Sequence, residues 1–175
     1  DTGILAEQAG AFVIRHVRCT GVGAAFRTAL NHALEQDIDI LLTIDSDGQF
    51  DPGDIPELAQ PVISGECDFS SASRFKDPSL MPKMPWIKRW GNRQMSRLIS
   101  RLTQQQFYDV SCGMRCYNRR AMLNLNLMGA YTYTQEVFLN LAFKRLRIIE
   151  VPISVRGVRE HGKSRVVSSV GGYGF

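Results

Sequence analysis

I-D-I-L-L-T-I-D-S-D-G-Q-F-D-P, Ile38 to Pro52, is the stretch that decides the fold of this chain. Its first half is β-branched and aliphatic (Ile38, Ile40, Leu41, Leu42, Ile44), the composition of a buried strand. The run then stops at Asp45, Asp47 and Asp51. Asp45 and Asp47 are two apart, so on an extended backbone both side chains leave on one face. Two carboxylates a few Å apart repel, and one takes up a proton unless a cation lies between them. Ligands that are all oxygen favour a hard divalent ion, Mg²⁺ or Mn²⁺. Open α/β sheets bind ligands at the carboxyl ends of their strands. The stretch therefore predicts a metal site at the mouth of an α/β sheet.

Other readings compete for the same residues. Asp51 as N-cap, Pro52 at the first helical position and Asp54 and Glu57 in the first turns describe a helix start. That accounts for Asp51 and leaves Asp45 and Asp47 unexplained. An EF-hand loop beginning at Asp45 needs Gly at position 50 and Glu at position 56, where Phe50 and Pro56 stand. D-S-D-G-Q also resembles the D-x-D-G-T motif of phosphohydrolases of the haloacid dehalogenase type, which would make Asp45 a nucleophile and Asp47 an acid. Gln49 replaces the Thr of that motif. The motif also follows a first strand, whereas here a strand and two helices are expected to precede it.

Outward from this stretch, 175 residues suit a single domain with a sizeable core. A hydrophobic fraction of 44% and a charged fraction of 22% are those of an ordinary globular protein. The net charge of +4 and pI near 9.0 suit phosphate-bearing ligands or an anionic membrane surface. Without zinc-finger spacing or an RNA-binding aromatic motif, nucleic acid is not expected as a partner. Cys19, Cys67, Cys112 and Cys116 form no C-x-x-C pair and read as reduced thiols of a cytosolic setting. No run of eighteen apolar residues is present to span a membrane. There is neither a signal peptide nor an initiator Met, so the chain reads as one domain cut from something longer at its N-terminus, and one that can continue past residue 175.

Taken in order, residues 2–10 suggest a short helix and Ala11–Val17 (A-F-V-I-R-H-V) a strand. Gly21 to Gln36 predicts a helix whose apolar face is Ala25, Ala29, Leu30, Ala33 and Leu34. Gly21 and Gly23 at its start either let backbone N–H groups approach a phosphate or serve a tight turn. After the central stretch come a helix over 52–64 and a strand over 67–74 ending in Arg74. A loop with three prolines follows over 75–85, then a long basic helix over 86–102. Its Arg89, Arg93, Arg97 and Arg101 step by four beside Trp86 and Trp90, either as a solvated face or as one turned to phosphates or a membrane. A strand is expected over 109–118, helices over 119–127 and 134–146, and a strand over 148–155 weakened by Pro152. Residues 156–165 (R-G-V-R-E-H-G-K-S-R) are basic and glycine-containing. Strands alternating with helices predict an α/β sandwich with a largely parallel sheet.

The order of these motifs resembles family 2 glycosyltransferases, especially the polyprenyl-phosphate (dolichol-phosphate) hexosyltransferase branch. I-D-S-D-G-Q-F-D-P is similar to its metal motif D-A-D-L-Q-H-P-P, with Asp45, Asp47 and Gln49 on the metal-contacting positions. G-V-G-A-A-F-R-T-A-L looks like its glycine-rich helix start, and S-A-S-R its strand-end arginine, Arg74. D-V-S-C-G-M-R resembles D-x-x-S-G-F-R, with Ser111 and Cys112 standing where x and Ser would be. E-V-P-I followed by R-E-H-G-K-S-R resembles its closing basic loop. The resemblance implies a Rossmann-like GT-A nucleotide-sugar-binding fold. It also implies that the opening strand and a D-D-G-S-x-D-x-T segment are missing, Asp1-Thr2 being their tail, so that apolar edge surface beside Ile38–Ile44 is left open.

The same resemblance implies inverting transfer of a hexose from a UDP- or GDP-linked sugar to a lipid phosphate or a sugar acceptor. Mg²⁺ or Mn²⁺ would be held by Asp45, Asp47 and Gln49. Asp47, Asp109 and Arg115 are the catalytic candidates; Asp109 acts as base only if the acceptor is a hydroxyl, and its rival reading is a turn-forming Asp. Gly23, Asp45, Arg74, Arg156, Arg159, Lys163 and Ser164 are the donor-binding candidates, the cations also serving an acceptor phosphate. The implied location is cytoplasmic, peripheral at the inner face of the membrane. Arg156 to Arg165 is expected to close as a lid over the phosphates. A nucleotide-sugar-binding fragment without activity is the remaining alternative.

Overall fold

A computed structural model describes residues 2–129 and 133–156. Its elements are α1 (Thr2–Gln8), α2 (Val22–Glu35), β1 (Ile40–Thr43), α3 (Ile55–Ile63), β2 (Phe69–Ser73), α4 (Trp86–Thr103), β3 (Arg115–Asn118), α5 (Arg119–Asn124), α6 (Thr134–Phe143) and β4 (Ile148–Pro152). The four strands form one sheet in the order β1-β3-β2-β4. β2 and β4 pair in parallel, while β3 runs against both of its neighbours. Three strands thus share one direction, with a single reversed strand between β1 and β2.

The layers follow from side-chain alternation along β3, which is covered on both faces. Tyr117 belongs to one cluster with Phe26, Leu30, Ile99, Phe138 and Leu141. Met114 and Cys116 belong to the other, with Leu58, Val62, Ala72 and Val151. Successive residues of a strand point to opposite faces, so the buried side chains of a central strand divide between two layers. Helices α2 and α6 lend the first cluster its side chains, and α3 covers the second face. Full burial of a side chain such as Leu58 or Phe138 stabilises the fold by about 1.5–3 kcal/mol.

Several boundaries differ from the sequence expectation, each for a physical reason. Ala11–Val17 forms no strand. It lies along α2 instead, with Phe12 stacked on His32 at 5.0 Å and His16 bonded to the Thr20 and Thr28 hydroxyls. A β-prone run becomes a strand only where a neighbour offers a matching row of N–H and C=O groups. The buried stripe of α2 is Gly23, Phe26, Leu30 and Ala33, leaving Ala25 and Ala29 exposed, because Phe26 has the most apolar surface to hide. Asp51 does cap a helical turn, accepting the Gly53 N–H at 2.9 Å. β4 stops at Pro152, which has no N–H to donate. β1 pairs only with β3, so among the described residues its other edge is open and all four of its residues are half-buried.

Asp68 fastens the far end of the sheet. Its buried carboxylate accepts from the Arg147 backbone N–H at 2.9 Å, from Asn118 Nδ2 at 3.1 Å and from the Arg147 guanidinium at 3.4 Å. Burial pushes its pKa up, but these donors outweigh burial and hold it below the ordinary 3.8. A depressed folded value means the contribution is present above the unfolded pKa and lost as pH falls through the folded one. Asp68→Asn is expected to cost about 1–3 kcal/mol at pH 7. In urea titrations the gap from the parent should close as the pH is taken below that of an ordinary aspartate. A gap that did not change with pH would remove the carboxylate's charge from the account.

Candidate active site

β1 ends at Thr43, and the Asp45–Gln49 turn follows at its carboxyl end. Asp47 accepts the Gln49 N–H at 3.1 Å, which closes the turn through Gly48 at a φ of 76°. That angle lies in the left-handed region, where glycine is at ease. Gln49 and Arg156 then clasp one another: Gln49 Nε2 donates to Arg156 O at 3.0 Å, and Arg156 N donates to Gln49 O at 2.9 Å. The structure therefore brings Asp47, Gln49 and Arg156, the first residue of the basic tail, to one place, with Asp45 two residues earlier on the same turn. Arg159, Lys163 and Ser164, and the closing motion expected of 156–165 beyond Arg156, lie outside the described residues.

Asp45 is exposed and Asp47 half-buried. No group of three or more His, Cys, Asp or Glu fit to hold a metal occurs among the described residues. The candidate set is thus two carboxylates and the Gln49 amide, whose Nε2 is spent on Arg156, so Oε1 is the atom a cation would take. Those donors fit Mg²⁺ or Mn²⁺, which need one or two carboxylates and leave other positions to phosphate oxygens.

Behind this turn lies a second assembly, built on residues 108–115. Asp109 is fully buried and paired with Arg74, at 2.6 Å from Nε and 2.9 Å from Nη2, and it also accepts the Arg74 N–H at 3.1 Å. Ser111 N–H adds a bond at 3.2 Å. Desolvation pulls the Arg74 pKa down, yet the Asp109 hydrogen bond and charge outweigh it and hold the guanidinium more firmly protonated. A base must face the proton it removes. Asp109 faces Arg74 and Ser111, and the Arg74 guanidinium is engaged with it and with the Ser111 hydroxyl.

Arg115, expected to hold an acceptor phosphate, is fully buried. Nε donates to Cys112 O at 2.7 Å and Nη2 to Val110 O at 3.3 Å, under the Phe138, Tyr133 and Phe69 rings at 5.3, 5.6 and 5.9 Å. Its place at the start of β3 turns it into the sheet's aromatic layer, with two of its three guanidinium nitrogens on carbonyls of the preceding turn. Gly23 likewise lies on the core-facing stripe of α2 and is buried. Burial, then the Asp109 charge, push the Cys112 thiol up to about 12, so it stays neutral and unreactive.

Glu150 is a residue that sequence reasoning passed over. Its buried carboxylate accepts the Tyr108 N–H at 2.8 Å and the Asp109 N–H at 2.7 Å, fixing the turn from the β4 side. Burial raises its pKa, more than those two N–H groups lower it. The signal was there: a lone acid inside I-I-E-V-P-I must find donors if it is buried. Ser111 Oγ donates to Asn92 Oδ1 at 2.6 Å, so α4 is joined to the same assembly.

Comparison with known proteins places this geometry. A profile described as glycosyl transferase family 2 matches residues 2–125. A UDP-N-acetylglucosamine–dolichyl-phosphate N-acetylglucosaminyltransferase of Methanococcus voltae is 33% identical over 143 residues, covering 80% of this chain and 57% of that protein. An undecaprenyl-phosphate mannosyltransferase of Micrococcus luteus is 26% identical over 174 residues, covering 95% of this chain and 69% of that protein. Among solved structures, glucosyl-3-phosphoglycerate synthase of Mycobacterium tuberculosis, in complex with Mn²⁺, UDP-glucose and phosphoglyceric acid, superposes with a TM-score of 0.69 at 22% identity. That superposition covers 94% of this chain and 57% of the other, and it supports the mixed α/β glycosyltransferase fold. The chain thus spans little more than half the length of two of these three proteins. With the profile covering most of its residues, the chain belongs to glycosyl transferase family 2.

Proposed function

We propose that this chain carries the donor-binding centre of a transferase that moves a hexose from a UDP- or GDP-linked sugar to a polyprenyl phosphate. The observation that carries the reading is the Asp45–Gln49 turn at the carboxyl end of β1, clasped to Arg156. Family membership favours it over the phosphohydrolase alternative with Asp45 as nucleophile. Asp45, Asp47 and Gln49 would hold Mg²⁺ or Mn²⁺, which when bound offsets charge growing on the leaving diphosphate. Lipid phosphates in the names of two relatives support the acceptor. An acceptor phosphate is already anionic and needs no base, in keeping with an Asp109 committed to Arg74. Its oxygen bonds to the anomeric carbon as the bond to the donor phosphate breaks on the opposite side, which inverts that carbon. Arg156, Arg159, Lys163 and Ser164 are assigned to the phosphates.

A transfer assay tests this reading: UDP-N-acetylglucosamine, UDP-glucose and GDP-linked hexoses, each with Mn²⁺ and polyprenyl phosphate, read by lipid extraction of labelled sugar. Label in the lipid phase is expected with one donor class. Binding without transfer would leave a nucleotide-sugar-binding fragment, and hydrolysis of p-nitrophenyl phosphate would restore the phosphohydrolase.

A lipid acceptor also requires contact with a membrane surface, and α4 supplies a face for it. Between Pro78 and Tyr108 there are six Lys or Arg and no Asp or Glu. Trp86, Ile87, Trp90, Leu98 and Leu102 are exposed among Arg97 and Arg101 on the side away from buried Ser96 and Ile99. No helix among the described residues is long and apolar enough to cross a membrane; the contact proposed for α4 is peripheral, at the cytoplasmic face. Each cation near an anionic surface contributes about 1 kcal/mol. Sedimentation with phosphatidylglycerol vesicles is expected to be strong at low salt and weaker at high salt, with Trp86→Ala/Trp90→Ala weakening it further. Equal binding to phosphatidylcholine vesicles would remove the electrostatic part of the proposal.

A further inference from the structure

Asp45 lies just past the end of an antiparallel ladder. In that ladder Ile40 faces Asn118, Leu42 faces Cys116 and Thr43 faces Arg115. Continued two residues along each strand, the same register sets Asp45 opposite Gly113. Directly opposed side chains in an antiparallel pair stand within about 4.5–5.5 Å of one another at Cβ, so each limits the other's space. Here one of the two has no side chain. A Cβ built on Gly113 would stand 2.2 Å from Oδ2 of Asp45, 2.7 Å from Cγ and 2.9 Å from Oδ1. The carboxylate therefore occupies the volume that any other residue at 113 would fill.

Gly113 is also held still. Thr43 Oγ1 donates to its carbonyl at 3.2 Å, from the strand that carries Asp45. The turn before it is braced by Arg115 on the Val110 and Cys112 carbonyls, and by Arg74 on Asp109. The turn's floor is the buried Glu150 carboxylate under the Tyr108 and Asp109 N–H groups. Gly113 has no positive φ, so its backbone would accept alanine and the obstacle is steric alone.

We infer that Gly113 is a positioning residue: the gap it leaves opposite Asp45 is the seat that fixes how the metal-binding carboxylate is aimed. A side chain there turns Asp45 away from Asp47 without touching substrate itself. The inference rests on the proposed metal role of Asp45, and the experiment separates the two.

Four forms of the chain are compared: Gly113→Ala, Asp45→Ala, the double variant, and Gly91→Ala as a control, since a Cβ at Gly91 meets nothing within 4 Å. Affinities for UDP and GDP are measured by calorimetry with and without Mn²⁺, and melting temperatures are recorded for each form. Gly113→Ala is expected to weaken Mn²⁺-dependent binding about tenfold to a hundredfold, the size seen when a ligand's support is removed. It should leave metal-free nucleotide binding as it was and lower the melting temperature by about 3–6 °C, as overpacking does. On the Asp45→Ala background the same substitution should cost neither affinity nor melting temperature, because the carboxylate it strikes is gone. Equal costs on both backgrounds, or a Gly113→Ala chain indistinguishable from the Gly91→Ala control, would overturn the seat. Unchanged Mn²⁺-dependent binding in Asp45→Ala would instead overturn the metal role. The melting temperatures report on the seat even then.

Discussion

Asp47→Ala is expected to abolish Mn²⁺-dependent nucleoside-diphosphate binding, at least a hundredfold or about 2.7 kcal/mol, while the fold survives. Asp47 is half-buried at a turn and lies outside both apolar clusters. Within the turn its Oδ1 accepts the Gln49 N–H at 3.1 Å, a bond whose loss costs about 0.5–1.5 kcal/mol. Its proposed chemical duty is far larger. A hard cation held by two carboxylates and an amide loses half of its formal ligand charge when one carboxylate goes. The two costs are read separately, the first by urea denaturation and the second by calorimetry with and without Mn²⁺. Asp47→Asn sharpens the contrast, since it keeps the turn's oxygen and loses the charge. Binding that kept its metal dependence in both variants would dismantle the proposed site.

The largest effect on stability is expected from Arg74→Leu. It strands the Asp109 carboxylate, which has no exposed surface, among the Ser111 and backbone N–H groups. Removing one partner of a buried ion pair costs about 3–5 kcal/mol, because the other charge is left behind. For a domain of this size that corresponds to a fall in melting temperature of about 10 °C. Arg74→Leu combined with Asp109→Asn should recover part of the loss, since the stranded carboxylate charge is then removed. If the double variant were less stable than Arg74→Leu alone, the stranded charge would not be the cause. The substitution also loosens the turn that carries Gly113, so Mn²⁺-dependent binding should weaken along with stability.

The strand and its carboxylates were legible in the sequence because both are local: an aliphatic run, then acids at a spacing of two. The helices 52–64 and 86–102 were legible for the same reason, from capping residues and period. What could not be read was register. Nothing within D-V-S-C-G-M-R announces that its glycine stands across from Asp45, roughly seventy residues away, or that β3 runs against its neighbours. Arg115 and Asp109 were read by residue type as a phosphate ligand and a base; their burial and their bonds around residues 108–115, which only tertiary packing decides, could not be read. Ala11–Val17 has strand composition, yet it lies along α2 through contacts that no local pattern announces. The lone acid Glu150 carried a readable signal, but not the identity of the N–H groups it serves.

The order β1-β3-β2-β4 has a consequence for how the chain assembles in time. Among the described residues β1 has one partner strand, and that partner begins at Arg115. A nascent chain leaving the ribosome therefore carries Asp45 and Asp47 for about seventy residues of synthesis before the ladder that aims them exists. Helices α2, α3 and α4 can form from local contacts in that interval, while the strand bearing the carboxylates waits for a long loop to close. The active turn is thus among the last parts to take shape, and a chain halted before β3 would carry the whole D-S-D-G-Q motif without the wall it leans on.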